Sequence, residues 1–248
     1  MSKFGLIIQA RYKSSRFQGK VIELVDQKPL FVYQINRLEK IFDRSSIILA
    51  TSTSYTDNII SDIAIKNSIQ IYRGNEDNVL ERFYKCAIKY SLNIIIRICA
   101  DSPLIDPLLI KKNLNLFKES DLDYLSNTIN QTYPLGLNFE IFKFSALEKA
   151  FKNSEIKEYL EHVTPYIYNS KNFKVGSLHL DDDYSNIRLC VDEYDDLIQI
   201  KRVVNLFKQQ NIEITIDSIL NLYKKNPVFF IYNQHVKQNN HPYKNEKN

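Results

Sequence analysis

Glycine is scarce in this chain, with five in 248 residues. Where so few remain, each is expected to serve a backbone position that needs positive φ or the close approach of another group. That draws attention to Gly19, Gly74 and Gly136, all read as loop positions. Cysteine is sparser still. Cys86, Cys99 and Cys190 are scattered, odd in number and form no CxxC pair. They make no disulfide framework, and a reducing cytoplasm is the expected compartment. No apolar run approaches the ~18 residues that a membrane span needs, and the run near the N-terminus is too short for a signal peptide. A large charge excess is also missing: 33 basic and 29 acidic side chains leave a net charge of +4. Such a balance argues against a nucleic-acid coat or a membrane-surface helix, and it confines any electrostatic function to local clusters.

Short, nearly continuous apolar runs alternate with segments of helical period. The runs 4-FGLIIQ, 46-SIILAT, 69-IQIYR, 93-NIIIRIC and 122-LDYLS read as strands buried on both faces. Between them, 29-PLFVYQINRLEKIF, 57-DNIISDIAIKNS, 76-EDNVLERFYKCAIKY and 107-PLLIKKNLNLFKES read as helices, with Asp57 as an N-cap and prolines suited to first turns. The alternation predicts a three-layer α/β fold with a mostly parallel sheet. After residue 126 a polar loop leads to a strand at 139-FEIFKF, helices near 145–153 and 156–169, strands at 173-FKVGSLHL and 187-IRLCVD, a helix from Asp195 and a short helix from Asp217. No linker of domain-separating composition interrupts the chain. One domain over residues 1–232 is expected, followed by a polar tail from Asn233.

In such sheets ligands sit beyond the carboxyl ends of the strands, so the residues following strands carry the functional reading. The first such stretch is 9-QARYKSSRFQGKV, with Arg11, Arg16 and Lys20 beside Ser14, Ser15 and Gly19. Backbone N–H groups, hydroxyls, forked guanidinium groups and an ammonium suit a polyphosphate. The stretch is neither a Walker A loop nor a dinucleotide GxGxxG; the plainer reading is a solvated basic loop. It also lacks interleaved stacking aromatics beyond Tyr12 and Phe17, which argues against nucleic acid. Asp101 and Asp192 each end an apolar run. Carboxylates at strand tips suit Mg²⁺, which takes one or two protein carboxylates and leaves the rest to phosphate and water; helix capping is the alternative for both, with Asp195 or Asp196 as further caps. Arg97 interrupts 94-IIIRIC, so its charge calls for an anion or a carboxylate partner. Glu161 and His162 lie on a helix, where His162 is either an acid, base or ligand or a structural residue. No Ser–His–Asp arrangement is visible.

As a set, these motifs resemble the cytidylyltransferase family of CMP-KDO and CMP-sialic acid synthetases, and most closely the SpsF spore-coat polysaccharide branch. Where that branch carries QARMGSTRLPGKV, this chain has QARYKSSRFQGKV; FRGSEEDVLDRYY corresponds to YRGNEDNVLERFY, and VRITGDCPLIDP to IRICADSPLIDP. The elements YPLGLNFEIF, LEHVTPYI, IRLCVDEYDDL and NPVFFIYNQHV follow in the family's order. The resemblance implies a nucleotide-diphospho-sugar transferase fold, a homodimer, and transfer of CMP from CTP to an acidic sugar, nonulosonic or KDO-like, with release of pyrophosphate. By the same resemblance Arg11, Ser14, Ser15, Arg16, Gly19, Lys20 and Arg73 would hold the nucleotide. Asp101 and Asp192 would hold Mg²⁺, and Arg97, Asp77, Tyr133, Asn138, Glu140, Glu161 and His162 would face the acceptor. The chain departs from the branch at Lys13, Gln18, Ala100, Asn138 and Glu193-Tyr194, which bears on rate and sugar choice. A nucleotidylyltransferase using another nucleoside triphosphate or a sugar phosphate, and a nucleotide-binding relative without catalysis, remain alternatives. Retention of both aspartates favours an enzyme.

Overall fold

The run Phe4–Gln9 forms β1, and its alternation splits the core. Leu6 and Ile8 join one buried cluster, while Ile7 joins another on the opposite side. The same split recurs in β4 (Ile47–Ser52) and β6 (Ile94–Cys99), where Leu49, Ile96 and Ile98 face one way and Ile48 and Ile95 the other. Burying each of these branched side chains stabilises the fold by roughly 1.5–3 kcal/mol. The structure is a computed structural model and describes residues 2–238.

The remaining elements follow in chain order. A small hairpin, β2 (Leu24–Val25) and β3 (Lys28–Pro29), precedes α1 (Leu30–Leu38). After β4 come α2 (Asn58–Lys66), β5 (Gln70–Gly74) and α3 (Val79–Lys89). After β6 come α4 (Pro107–Glu119), β7 (Tyr124–Ser126), β8 (Glu140–Lys143) and α5 (Phe144–Asn153). Then follow α6 (Lys157–His162), α7 (Pro165–Asn169), β9 (Val175–Ser177), α8 (Tyr194–Gln209) and α9 (Ile216–Lys225).

The seven-stranded sheet has the order β5-β4-β1-β6-β8-β7-β9. Only β8 runs against its neighbours. α1, α2 and α4 cover one face, and α3 and α5 the other, which gives the expected three layers. A third cluster, containing Val25, Leu189, Val191 and the inner faces of α8 and α9, lies beside them. The chain leaves β1 for β4 and β5 on one side and returns to β6 on the other. The β1/β6 boundary is therefore a topological switch point, with its crevice at the carboxyl ends.

Four expectations are corrected. The run 187–192 is not a strand; it makes one bridge, Leu135 to Arg188. Gly136 explains the close approach: at φ +95° it lies so near Leu189 that an added Cβ would sit 2.3 Å from its carbonyl carbon. The helix expected over 156–169 breaks between α6 and α7. Val163 stands at φ 72°, ψ −53°, and Thr164 N–H donates to His162 C=O at 2.9 Å, a strained γ-turn just before Pro165. Gly74 lies at the end of β5, paired with Ser52, and not in a loop. Residues 233–238, read as the start of a polar tail, are anchored by two buried side chains, Asn233 and Val236, while the other four are exposed. Polar composition misled there because Asn233 spends its amide on Asp196 Oδ1 (2.7 Å) and Arg188 C=O (3.3 Å). The rest of the expected tail, 239–248, lies outside the described residues.

Candidate active site

The loop after β1 is shaped by two anchors. Gly19, at φ 74°, donates its N–H to Tyr12 C=O at 2.8 Å and closes the loop over the Tyr12 ring. Asp57 holds the other end. Its Oδ1 accepts from Tyr12 N–H at 2.7 Å, and its Oδ2 accepts from Thr51 Oγ1, Ser52 N–H and Ser52 Oγ at 2.6–3.0 Å. Asp57 precedes α2, but its side chain does not cap that helix as expected; it ties the loop after β1 to the end of β4. Burial alone would raise its carboxyl pKa, yet these hydrogen bonds outweigh burial and hold it below the ordinary value.

Lys20 ends the loop and turns inward. Its ammonium donates to Asp101 Oδ2 at 2.8 Å and to Asp192 Oδ1 at 3.0 Å. Burial would lower the lysine pKa, but the two carboxylate charges reverse that and raise it, so Lys20 stays protonated across the working pH range. Asp192 is also met by Arg16 Nη2 at 3.0 Å and Arg188 Nη2 at 3.3 Å. Burial would raise its pKa; the charges of Lys20, Arg16 and Arg188 bring it below the ordinary value. Asp196 does not serve as the expected N-cap of α8. It sits in the first turn, with Oδ2 accepting from the N–H groups of Asp192 and Glu193 at 2.9 and 3.0 Å. Arg188 spans both carboxylates, donating from Nε and Nη2 to Asp196 at 3.2 and 3.1 Å. The C-terminal segment reaches this network too: Lys237 C=O accepts from Arg16 at 2.9 Å, and Gln238 Oε1 from Arg188 at 2.6 Å.

These groups line a cleft of about 230 Å³ at the β1/β6 switch point. Arg11, Lys13, Ser14, Ser15, Arg16, Lys20, Asp101 and Asp192 border it, together with Glu161 and His162 from α6. Arg11 reaches Glu161 at 3.8 Å across the mouth. Burial lowers the His162 pKa, which favours a neutral imidazole. Cys99 also borders the cleft, but burial pushes its thiol up to about 12. It is a neutral thiol at physiological pH and a poor nucleophile.

Several expected site residues do not border this cleft. Arg73 donates to the carbonyls of Ser52 and Ser54 at 2.8 and 2.9 Å, bracing the loop after β4. Asp77 is exposed, and its N–H donates to Asn75 Oδ1. Tyr133 is buried in the third cluster, and Asn138 pairs with Gln131. Arg97 and Glu140 find each other in a buried ion pair, completed by Gln9, Tyr124 and Thr164. Conversely, sequence reasoning passed over Arg82 and Arg188 and gave Asp57 only a capping role. Arg188 interrupts an apolar run as Arg97 does, and Arg82 falls on the buried stripe of α3; both were readable as charges needing partners.

A mostly parallel, doubly covered sheet with a basic loop and paired aspartates at its switch point defines a nucleotidyltransferase. The cytidylyltransferase family model matches residues 6–247, and the chain belongs to that family. It is 35% identical over 94% of its length to an uncharacterised protein of Methanocaldococcus jannaschii, covering 95% of that protein. It is 28% identical over 92% of its length to the spore coat polysaccharide biosynthesis protein SpsF of Bacillus subtilis, covering 96% of it. Among solved structures it resembles a cytidylyltransferase from Leptospira borgpetersenii, with a TM-score of 0.86 and 27% identity, over 97% of this chain and all of the other.

Proposed function

We propose that this cytidylyltransferase transfers CMP from CTP to an acidic sugar of the nonulosonic or KDO-like class, releasing pyrophosphate, for surface polysaccharide or glycan synthesis. The observation that carries the reading is the convergence of Asp101 and Asp192 on Lys20, at the foot of a loop holding Arg11, Ser14, Ser15 and Arg16. The protein acts as a homodimer in the cytoplasm in this reading, on the resemblance stated above; among the described residues no helix is long and apolar enough to cross a membrane.

Among the described residues no group of three or more His, Cys, Asp or Glu side chains converges. Here the Lys20 ammonium, 2.8 Å from Asp101 and 3.0 Å from Asp192, takes the space between the two carboxylates. Once Lys20 turns from them to the phosphates, they suit Mg²⁺, whose remaining positions go to substrate and water oxygens. Asp101 and Asp192 would hold it, and it would supply Lewis-acid charge at the α-phosphate and the attacking hydroxyl. The chain's own cations do the rest. In this reading Arg11, Arg16 and Lys20 meet the triphosphate, Arg16 and Lys20 exchanging their carboxylate partners for it, and stabilise the negative charge that grows on the leaving pyrophosphate. Ser14, Ser15 and the loop N–H groups orient the phosphates for in-line attack. In this reading the sugar oxygen attacks the α-phosphorus directly as pyrophosphate leaves, and no covalent enzyme intermediate is needed. Glu161 and His162 border the acceptor end, where the half-buried, neutral imidazole can accept a hydrogen bond from a sugar hydroxyl.

The test is pyrophosphate release with Mg²⁺, each of the four nucleoside triphosphates and a panel of acidic sugars including 3-deoxy-manno-octulosonate. Release with CTP and one acidic sugar, lost in Asp101→Asn, is the expected result. Release with a different triphosphate, or with a sugar phosphate in place of the acid, would overturn the substrate assignment.

A further inference from the structure

Arg82 lies on α3, is 2% exposed and borders the cleft. Its Nη1 donates to Asn75 C=O at 3.0 Å, while its buried Nε has no hydrogen-bond partner among the described residues. No carboxylate lies within ion-pair distance of it among the described residues. Asp57, the acid whose field it feels most, has both oxygens committed to the loop anchors described above. Two fellow cations, Arg11 and Arg97, repel it. The backbone is nonetheless arranged to admit it: a Cβ on Gly74 would lie 3.0 Å from Arg82 Cγ.

A buried charge held by one neutral carbonyl is costly, and a charge perturbed by burial at the wall of a cleft marks a candidate ligand-binding group. Arg37, also buried without a carboxylate partner among the described residues, does not border this cleft and donates to three backbone carbonyls, those of Leu104, Ile105 and Ile214; two other buried arginines have acids of their own. Arg97 has Glu140, and Arg188 has Asp196. We infer that Arg82 is an interior anchor for a substrate oxyanion, meeting a phosphate of the nucleotide or the carboxylate of the acceptor where the basic loop and α6 face each other. This inference rests on the nucleotidyl-transfer reading of the cleft. Burial pulls the guanidinium pKa down to about 10, so Arg82 is still charged at neutral pH.

The experiment compares wild type with Arg82→Met and Arg82→Lys. Binding of Mg·CTP and of inorganic pyrophosphate is measured by calorimetry, and KM for 3-deoxy-manno-octulosonate by pyrophosphate release. Losing a charge-assisted hydrogen bond in a buried site predicts about tenfold to hundredfold weaker binding in Arg82→Met, with Arg82→Lys between. Weaker CTP and pyrophosphate binding assigns the anchor to the nucleotide. A raised KM with unchanged CTP binding assigns it to the acceptor carboxylate. Unchanged binding and KM in both variants overturn the inference and leave Arg82 a strut for Asn75. Should Arg82→Met fail to fold, the Arg82 Nε–H signal in wild type, identified by its loss in Arg82→Lys, is followed as pyrophosphate is added; a signal that does not move sinks the anchor on the nucleotide side. Wild-type pyrophosphate binding without CTP turnover would defeat the substrate assignment while leaving the anchor standing, so the two failures are distinguishable.

Discussion

Two charge clusters lie close together along β6 and its exit, and they differ in kind. Arg97 and Glu140 face each other inside the sheet, and further hydrogen bonds join Arg97 to Gln9 and Glu140 to Tyr124 and Thr164. Their side chains are 9% and 4% exposed. The second cluster joins Lys20 and Arg16 to Asp101 and Asp192, with side-chain exposures of 11–27% at the edge of an open cleft. Cation–carboxylate pairs are thus sealed in one place and accessible in the other. A sealed pair holds strands together; an accessible one can exchange its partners for phosphate, metal or sugar.

Breaking the open cluster gives the largest effect. Lys20→Met or Asp192→Asn is expected to cut turnover by ~100-fold or more, since each removes a fixed charge from the transition state, while thermal denaturation shows the fold intact. Breaking the sealed pair acts on stability. Arg97→Met leaves Glu140 buried and uncompensated and is expected to cost about 3–5 kcal/mol in denaturant unfolding; Arg97→Met with Glu140→Leu recovers most of it.

Acid sharpens the contrast. Burial would raise the Glu140 pKa, but Arg97, Thr164 and Tyr124 hold it below its ordinary 4.5. A folded value below the unfolded one means that the stabilisation is fully present above about pH 4.5 and is lost as pH falls through the folded value. Urea midpoints should fall with acidification below that point, with a smaller slope in the Arg97→Met/Glu140→Leu double. The smallest effect belongs to the C-terminal segment. Asn233→Ala removes two hydrogen bonds beneath the Arg188 network and is expected to cost about 1–2 kcal/mol, with a modest fall in kcat as Asp192 loses orientation.

The sheet was legible because β1, β4 and β6 are apolar on both faces, a pattern that a parallel strand in the middle of a three-layer fold requires. The basic loop and both aspartates were legible because they follow those strands. Partnerships across the chain were not. Arg97 was visibly a charge in need of a partner, but Glu140 is reached only through the antiparallel pairing of β6 with β8. The run IRLCVD has strand alternation, yet its neighbour is the loop at Leu135 and not a strand edge. The break at Val163 had only an indirect signal in Pro165, which opens α7 at a first-turn position where its missing N–H costs nothing; nothing in the sequence marked the positive-φ turn at Val163 itself. Asn233 looked like the start of a tail because composition says nothing of the carboxylate waiting for it at Asp196.

The most direct test sets the two clusters side by side: the initial rate of CTP-dependent pyrophosphate release with an acidic sugar, in Asp192→Asn and in the Arg97→Met/Glu140→Leu double. The account predicts almost no release from the first and a rate near wild type from the folded second. A fully active Asp192→Asn beside a dead but folded double would place the chemistry at the sealed pair and contradict it.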